Sequence, residues 1–269
     1  MRPYLLYMIA AGSALGMSGG PPADWSAAWS DTAEQAAPAH AAATAANGER
    51  GPHAFYFTRA MYSDNRRGWG GGGRSWRTDF PKADIQFLIV LRRLTNLDAY
   101  EREHPVHLAD PELRRFPFIY MLEVGSIGLT PEESDGLRGY MLAGGFVFID
   151  DFWGDNEWRN FEEQMRRTLP EYPIVDLPRD HPILSSFYKI DEILQVPAVG
   201  RVRNPSECGP CQPTVRAMFD EEGRLMMMIN WNTDIGDAWE WAEQPYYPTE
   251  YSTFAYQMGV NAIVYAMSH

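Results

Sequence analysis

The chain has 269 residues, of which 45% are hydrophobic and 13% aromatic, so it can form one large domain or two small ones with a sizeable core. Its formal net charge is -13, from 36 acidic and 23 basic side chains. Phosphate contacts require clustered Lys and Arg, and an anionic lipid surface repels a chain of this charge. The composition therefore excludes a general nucleic-acid binder and attachment to lipid headgroups by charge.

The N-terminal segment, residues 1–20, is predicted to be a hydrophobic leader or anchor. Arg2 precedes a mostly apolar run over residues 4–17, which has the length of a signal-peptide core and is too short for an ordinary membrane span. A cleaved leader and a retained anchor fit equally, and a cytosolic N-terminus is the remaining alternative. The first two place the protein in the periplasm or another extracytoplasmic compartment, and a retained anchor would also hold it at the membrane.

Residues 21–52 are predicted to be a linker arm, because they are rich in Ala, Pro and small polar residues. This arm carries Trp25 and Trp29, whose spacing puts both indoles on one face of a short helix. Tryptophans suit contacts with a partner or with a membrane interface. The alternative is that they dock on the surface of the protein itself.

A globular domain is predicted over residues 53–269, where apolar runs typical of strands alternate with helical patterns. Thr130 and Glu133 form a capping box around Pro131, and Asp79 with Pro81 opens an earlier helix. Strands are predicted over residues 54–58, 106–108, 116–124, 146–149 and 174–177, a hairpin over 215–219 and 225–229, and further helices over 156–168 and 252–267. This alternation predicts a mostly parallel α/β sheet with helices on both faces and the hairpin as an antiparallel edge.

Acidic residues follow two of the predicted strands. Asp150 and Asp151 end the strand over residues 146–149, and Asp234 and Asp237 follow the second strand of the hairpin. Ligands bind at the carboxyl ends of strands in open α/β sheets, and clustered carboxylates bind Ca²⁺ or Mg²⁺ or share acid–base work. The alternative is structural, because Asp and Asn also cap helices and form turns. The candidate catalytic residues are Asp150, Asp151, His181, Asp234 and Asp237, with Glu157 as a further neighbour.

The segment Cys208-Gly209-Pro210-Cys211 has the spacing of a thioredoxin-like redox motif. A redox pair needs its first cysteine at a helix N-terminus, whereas prolines on both sides of this segment indicate a turn-rich loop. A local disulfide, plausible in an exported domain, or a pair of plain thiols is therefore expected. Catalysis or metal binding by the pair is the alternative.

A glycine-rich loop, Gly70 to Gly73, is flanked by arginines and a tryptophan. Glycines allow a backbone to surround a phosphate group, but the standard phosphate-loop and dinucleotide patterns are absent from the sequence. A surface or partner-docking loop is the preferred interpretation. The interaction residues predicted here are Arg66, Arg67, Trp69 and Arg74.

Several separate motifs resemble one uncharacterised bacterial family, the domain of unknown function numbered four-one-five-nine, over roughly residues 53–269. The motifs are Phe57-Thr58-Arg59, the run from Trp76 to Ala83, Arg93-Leu94-Thr95, Gly144-Gly145-Phe146, Asp150-Asp151-Phe152-Trp153-Gly154, His181-Pro182-Ile183, the segment from Asn232 to Glu240, and Gly259-Val260-Asn261-Ala262. The resemblance implies an exported protein with a flavodoxin-like sheet, similar to class I glutamine amidotransferases and trehalose-utilisation-like proteins. In amidotransferases a cysteine follows the strand that here ends in Asp150-Asp151, so the resemblance does not imply amidotransferase chemistry.

The sequence therefore favours a non-catalytic, membrane-extrinsic subunit that docks on a larger membrane complex. An energy-transducing complex, photosynthetic or respiratory, is one such assembly. The expected partner is a membrane protein complex reached through the N-terminal segment, and neither a nucleic acid nor a cofactor is expected. The alternative is an exported carbohydrate-active or metal-dependent hydrolase that uses the acidic cluster with Ca²⁺ or Mg²⁺, because aromatic residues that could stack on sugars crowd the same segments.

Overall fold

The computed structural model of the protein describes residues 53–65 and 75–269. The strands in this part of the chain form one seven-stranded sheet. In chain order they are β1 (Thr58–Met61), β2 (His104–His107), β3 (Phe118–Leu122), β4 (Phe146–Asp150), β5 (Val175–Asp176), β6 (Thr214–Phe219) and β7 (Leu225–Trp231). Across the sheet the order is β2-β1-β3-β4-β7-β6-β5.

Five of these strands run parallel, namely β2, β1, β3, β4 and β7. Counted in chain order, they lie as 2-1-3-4-5, which is the order of flavodoxin-like sheets. β6 pairs antiparallel with β7, and β5 pairs antiparallel with β6. The predicted fold class is confirmed, and the short strand β5 lies outside the predicted hairpin.

Helices cover both faces of the sheet, as predicted. They are α1 (Lys82–Leu94), α2 (Pro131–Leu142), α3 (Gly154–Thr168), α4 (Ile235–Glu240) and α5 (Thr249–Ser268). Residues of α1, α4 and α5 belong to one buried cluster, and residues of α2 and α3 belong to the other. Within the described ranges, no helix is long and apolar enough to cross a membrane.

Local sequence signals explain why α2 and β4 form where they do. The Thr130 hydroxyl accepts the Glu133 N–H at 3.2 Å, and the Glu133 carboxylate accepts the Thr130 N–H at 2.9 Å, so the predicted capping box is confirmed. Gly144 has φ 105°, a conformation that glycine adopts without strain, and it ends the helix. All five residues of β4 are buried, as expected of a central parallel strand.

The first predicted strand is wrong in its position. Phe55 forms only an isolated bridge with Ala99, whereas regular pairing with β2 and β3 begins at Thr58. The strand continues through Arg59, whose side chain is buried because it forms an ion pair with Asp84. A charged residue therefore lies inside β1, where the sequence pattern indicated its end.

Candidate functional site

The carboxyl ends of β4 and β7 bring the predicted acidic residues together. These two strands are parallel neighbours at the centre of the sheet. Asp150 is the last residue of β4, and its carboxylate accepts hydrogen bonds from the first two N–H groups of α4, which follows β7. The structure brings Asp150, Asp151, Asp234 and Asp237 to the same edge of the sheet.

The Asp150 carboxylate is fully engaged inside the protein. Its Oδ1 accepts the Ile235 N–H at 3.1 Å, and its Oδ2 accepts the Gly236 N–H at 2.8 Å and the Tyr120 hydroxyl at 3.0 Å. Burial raises the pKa of Asp150 to about 7, while these three hydrogen bonds oppose the increase. The residue therefore supports the N-terminus of α4, as a capping carboxylate does.

Two further acids, Asp234 and Asp237, also accept hydrogen bonds from backbone N–H groups. Asp234 Oδ1 accepts the Asp237 N–H at 2.9 Å and caps α4. Asp237 Oδ2 accepts the Val199 N–H at 2.5 Å, and its Oδ1 accepts the Trp241 indole N–H at 3.2 Å. The structural alternative raised by the sequence, that Asp residues cap helices and form turns, is thus correct for three of the four acids.

Asp151 differs from the other three. It lies between β4 and α3 with φ 49°, in the left-handed region that non-glycine residues seldom adopt. Its Oδ1 accepts the Trp153 indole N–H at 3.0 Å, and no backbone N–H among the described residues bonds its carboxylate. Burial, followed by repulsion from Asp150, raises the pKa of Asp151 well above its usual range.

Left-handed backbone is concentrated at the same edge of the sheet. Among the described non-glycine residues, Asp79, Glu123, Asp151 and Asn232 have positive φ. The last three directly follow β3, β4 and β7. Sparsely populated backbone conformations tend to cluster at functional sites, where the surrounding structure holds them. The strand ends therefore form the candidate functional site.

Sequence reasoning missed Asp79, which it interpreted as the start of a helix. One Asp79 oxygen lies within 4.8 Å of carboxylate oxygens of Asp151 and Asp234, and Asp79 forms a second such group with Asp237 and Glu240. The position of Asp79 in the sequence could have indicated its role, because the segment that follows β1 starts at the carboxyl end of a parallel strand. That indication was missed because the end of β1 was predicted at the wrong residue.

Burial and mutual repulsion dominate the electrostatics of the site. Burial raises the pKa of Asp79 well above its usual range, and the charges of Asp237 and Asp151 raise it further. The pKa of Asp234 is raised for the same reasons, burial first and then Asp151. The Arg59 guanidinium lowers the pKa of Asp79, but it is itself paired with Asp84. The cluster therefore favours protons or a bound cation.

The two cysteines form a disulfide beside these strand ends. Cys208 and Cys211 are bonded, with their Cα atoms 5.7 Å apart, so the disulfide holds and not the alternative of two plain thiols. The Cys208 Sγ lies 3.3 Å from Oδ1 of Asn232, the residue after β7, and that oxygen accepts the Gly154 N–H at 2.8 Å. The disulfide loop thus packs against the turns that carry the acids.

The structure places His181 away from the acids at the strand ends. The His181 ring lies 5.5 Å from the rings of Phe219 and Tyr265, and Phe219 pairs with the first residue of β7. His181 is therefore at the opposite edge of the sheet, and the expectation that it joins the acids is wrong. The Glu157 carboxylate accepts the Trp153 backbone N–H at 2.7 Å.

The predicted interaction residues Trp25, Trp29, Arg66, Arg67, Trp69 and Arg74 lie outside the described residues.

This flavodoxin-like sheet with an acidic cluster at its strand ends defines an α/β domain of the kind that holds its functional site at that edge. The model of the family described as a domain of unknown function (DUF4159) matches residues 62–267. The match spans most of the chain, so the protein belongs to this family, as its motifs indicated. No curated protein matches the chain.

Proposed function

We propose that the protein is a non-catalytic, membrane-extrinsic interaction subunit that docks on a larger membrane complex in an extracytoplasmic compartment. The observation that supports this proposal is the use of the acids at the strand ends. Asp150, Asp234 and Asp237 accept backbone N–H groups and hold α4 and the loop at Val199 in place. Most of the residues with the chemistry for catalysis therefore maintain the architecture of this edge.

The relation to class I glutamine amidotransferases belongs to the same proposal. The order of the five parallel strands supports a shared flavodoxin-like arrangement. In those enzymes a nucleophilic cysteine follows a strand, and here Asp151 occupies the left-handed turn between β4 and α3. The cysteines of this chain are joined in a disulfide, whereas a thiolate is required for nucleophilic attack. We infer an amidotransferase-like domain that has been adapted to binding.

The N-terminal segment is the proposed membrane contact. Its sequence has an apolar run over residues 4–17 and then Trp25 and Trp29 in the Ala- and Pro-rich arm. Deletion of residues 1–30 tests this assignment. The truncated chain is expected to fold, because the domain unit begins at His53. It should no longer co-purify with the membrane complex after solubilisation in mild detergent. Retention of the truncated chain at the level of the full chain would contradict the proposal.

A second candidate function, an exported carbohydrate-active hydrolase, is favoured by Asp151 alone. Its carboxyl group is buried, is not used by a backbone N–H among the described residues, and has a raised pKa, all of which suit a general acid. The test is turnover of a panel of nitrophenyl glycosides by the full chain. If this candidate is correct, Asp151→Asn lowers turnover by about 10²–10⁴-fold. The matched control is Asp176→Asn, an exposed acid on β5, which leaves turnover unchanged.

A further inference from the structure

Helix capping does not explain one arrangement at the strand ends. Asp79, Asp151 and Asp234 each bring one carboxylate oxygen within 4.8 Å of the other two. The three residues lie in separate segments, namely before α1, directly after β4, and between β7 and α4. The sheet topology, and not a local motif, therefore assembles this group, which we name the triad.

One carboxylate oxygen of a triad member is buried without a hydrogen-bond partner among the described residues. Oδ2 of Asp79 is shielded from solvent and has no hydrogen-bond partner among the described residues, although Asp79 as a whole is half-buried. A Cβ atom placed on Gly236 would lie 2.7 Å from this oxygen, so the absence of a side chain there leaves space for it. A buried carboxylate oxygen without a partner is costly, and a bound cation would remove that cost.

The other two members of the triad are only partly used. Asp151 Oδ1 accepts the Trp153 indole N–H, and Asp234 Oδ1 accepts the Asp237 N–H. Each residue thus has a second carboxylate oxygen for a ligand. Burial and mutual repulsion raise the pKa values of all three triad acids, as expected where several carboxylates share one space without a cation.

We propose that Asp79, Asp151 and Asp234 bind one Ca²⁺ ion. Carboxylate oxygens are the preferred ligands of hard divalent cations. Ca²⁺ accepts several protein oxygens in flexible geometry, whereas Mg²⁺ usually keeps several water ligands and is held by only one or two carboxylates. Three carboxylates that converge from separate segments therefore suit Ca²⁺ better than Mg²⁺.

A second carboxylate group, formed by Asp79, Asp237 and Glu240, is a poorer site. Both oxygens of Asp237 are already engaged, one by the Val199 N–H and the other by the Trp241 indole N–H. Glu240 is only partly buried; burial, followed by repulsion from Asp237, raises its pKa to about 7, while the charge of Lys82 opposes the increase. The triad is therefore the group that would gain most from an ion.

The Ca²⁺ site is independent of the proposed docking function. An ion in the triad would join the segment before α1 to the turns after β4 and β7. Without an ion, the triad carboxylates on these segments repel one another. The ion would therefore stabilise the edge of the sheet whether the domain binds a partner or acts on a substrate.

Calorimetric titration of the chelator-treated full chain with CaCl₂ tests the site. Wild type is expected to bind one Ca²⁺ with a Kd of about 10⁻⁴–10⁻³ M, the range of extracellular Ca²⁺ modules. Asp79→Asn and Asp234→Asn should each weaken binding at least about tenfold, because each removes a charged ligand. The exposed control Asp176→Asn should bind as wild type does.

The melting temperature distinguishes a ligand from a residue that is merely structural. Without Ca²⁺, Asp79→Asn should melt at a higher temperature than wild type, because it removes a repelling charge and Asn tolerates the left-handed conformation at this position. With saturating Ca²⁺ the order should reverse, because only wild type gains the full binding energy. A folded wild type without measurable Ca²⁺ binding, unchanged affinity in Asp79→Asn, or an equal loss in Asp176→Asn would overturn the proposal.

Discussion

At the scale of single residues, environment separates two adjacent acids with the same chemistry. Asp150 continues β4 and has both oxygens bonded by N–H and hydroxyl groups. Asp151 turns out of the strand with a positive φ and bonds one indole. The first is a positioning residue for α4, and the second is the member of the pair that is available to a ligand.

The raised pKa values determine how stability should depend on pH. Burial raises the pKa of Asp150 to about 7, and it also raises the pKa values of Asp79, Asp151 and Asp234. Between the unfolded carboxyl pKa near 4 and this raised value, the folded chain binds more protons than the unfolded chain. This contribution to the free energy of unfolding is therefore complete at low pH and is lost as the pH rises through about 7.

We accordingly expect the urea midpoint of the chelator-treated full chain to be higher at pH 5 than at pH 8. Tryptophan fluorescence during urea unfolding provides the measurement. Asp151→Asn should show a weaker pH dependence, since it removes one of the groups with a raised pKa. A midpoint that increases steadily from pH 5 to pH 8 in both proteins would be inconsistent with a buried, repelling cluster.

At the scale of elements, the second residue of α4, Gly236, packs closely against side chains of neighbouring segments. A Cβ atom at Gly236 would lie 2.7 Å from Oδ2 of Asp79 and 2.8 Å from the Tyr120 hydroxyl. Gly236→Ala should therefore lower the free energy of unfolding by about 1–2 kcal/mol, since overpacking exceeds the gain in helix propensity. Gly200→Ala is the matched control, because a Cβ atom there would have no atom of the described residues within 4 Å, and its effect should stay within about 0.5 kcal/mol. Equal urea midpoints for the two variants would argue against close packing at Gly236.

The disulfide loop should contribute measurably to stability. Closing a loop with a sequence separation of 3 between Cys208 and Cys211 restricts the unfolded chain by about 2 kcal/mol. The double variant Cys208→Ser/Cys211→Ser should lose about that amount in urea unfolding. Reductant should destabilise wild type and leave the double variant unaffected. Equal stability of oxidised and reduced wild type would show that the loop carries no such constraint.

Local sequence signals predicted the elements that depend on neighbouring residues. The capping box at Thr130, the buried run of β4 and the hairpin of β6 and β7 are all confirmed. The short helix α4 was not predicted, because part of its N-terminal support comes from Asp150, which is 85 residues away in sequence. The position of β1 was wrong because a long-range ion pair allows Arg59 to be buried in the strand.

At the scale of the whole molecule, the strand order explains why the candidate site could be predicted only in part. Two adjacent parallel strands, β4 and β7, place their acids together, and the sequence pattern was sufficient to predict that. Asp79 lies close to Asp151 and Asp234 because of how the segment before α1 folds over the sheet, and no local sequence pattern encodes that fold. His181 was misplaced for the same reason, because the side of the sheet on which a loop lies is a property of the topology.

The central claim, that the protein is a subunit docked on a membrane complex, is tested most directly by sedimentation of the native chain. Membranes from the source cells are solubilised in mild detergent and separated on a sucrose gradient, with the chain detected by an antibody. The account predicts that the full chain sediments with a large complex, and that the chain without residues 1–30 sediments as a free protein smaller than the 30.6 kDa full chain. Sedimentation of the full chain as a free monomer in mild detergent would contradict the account.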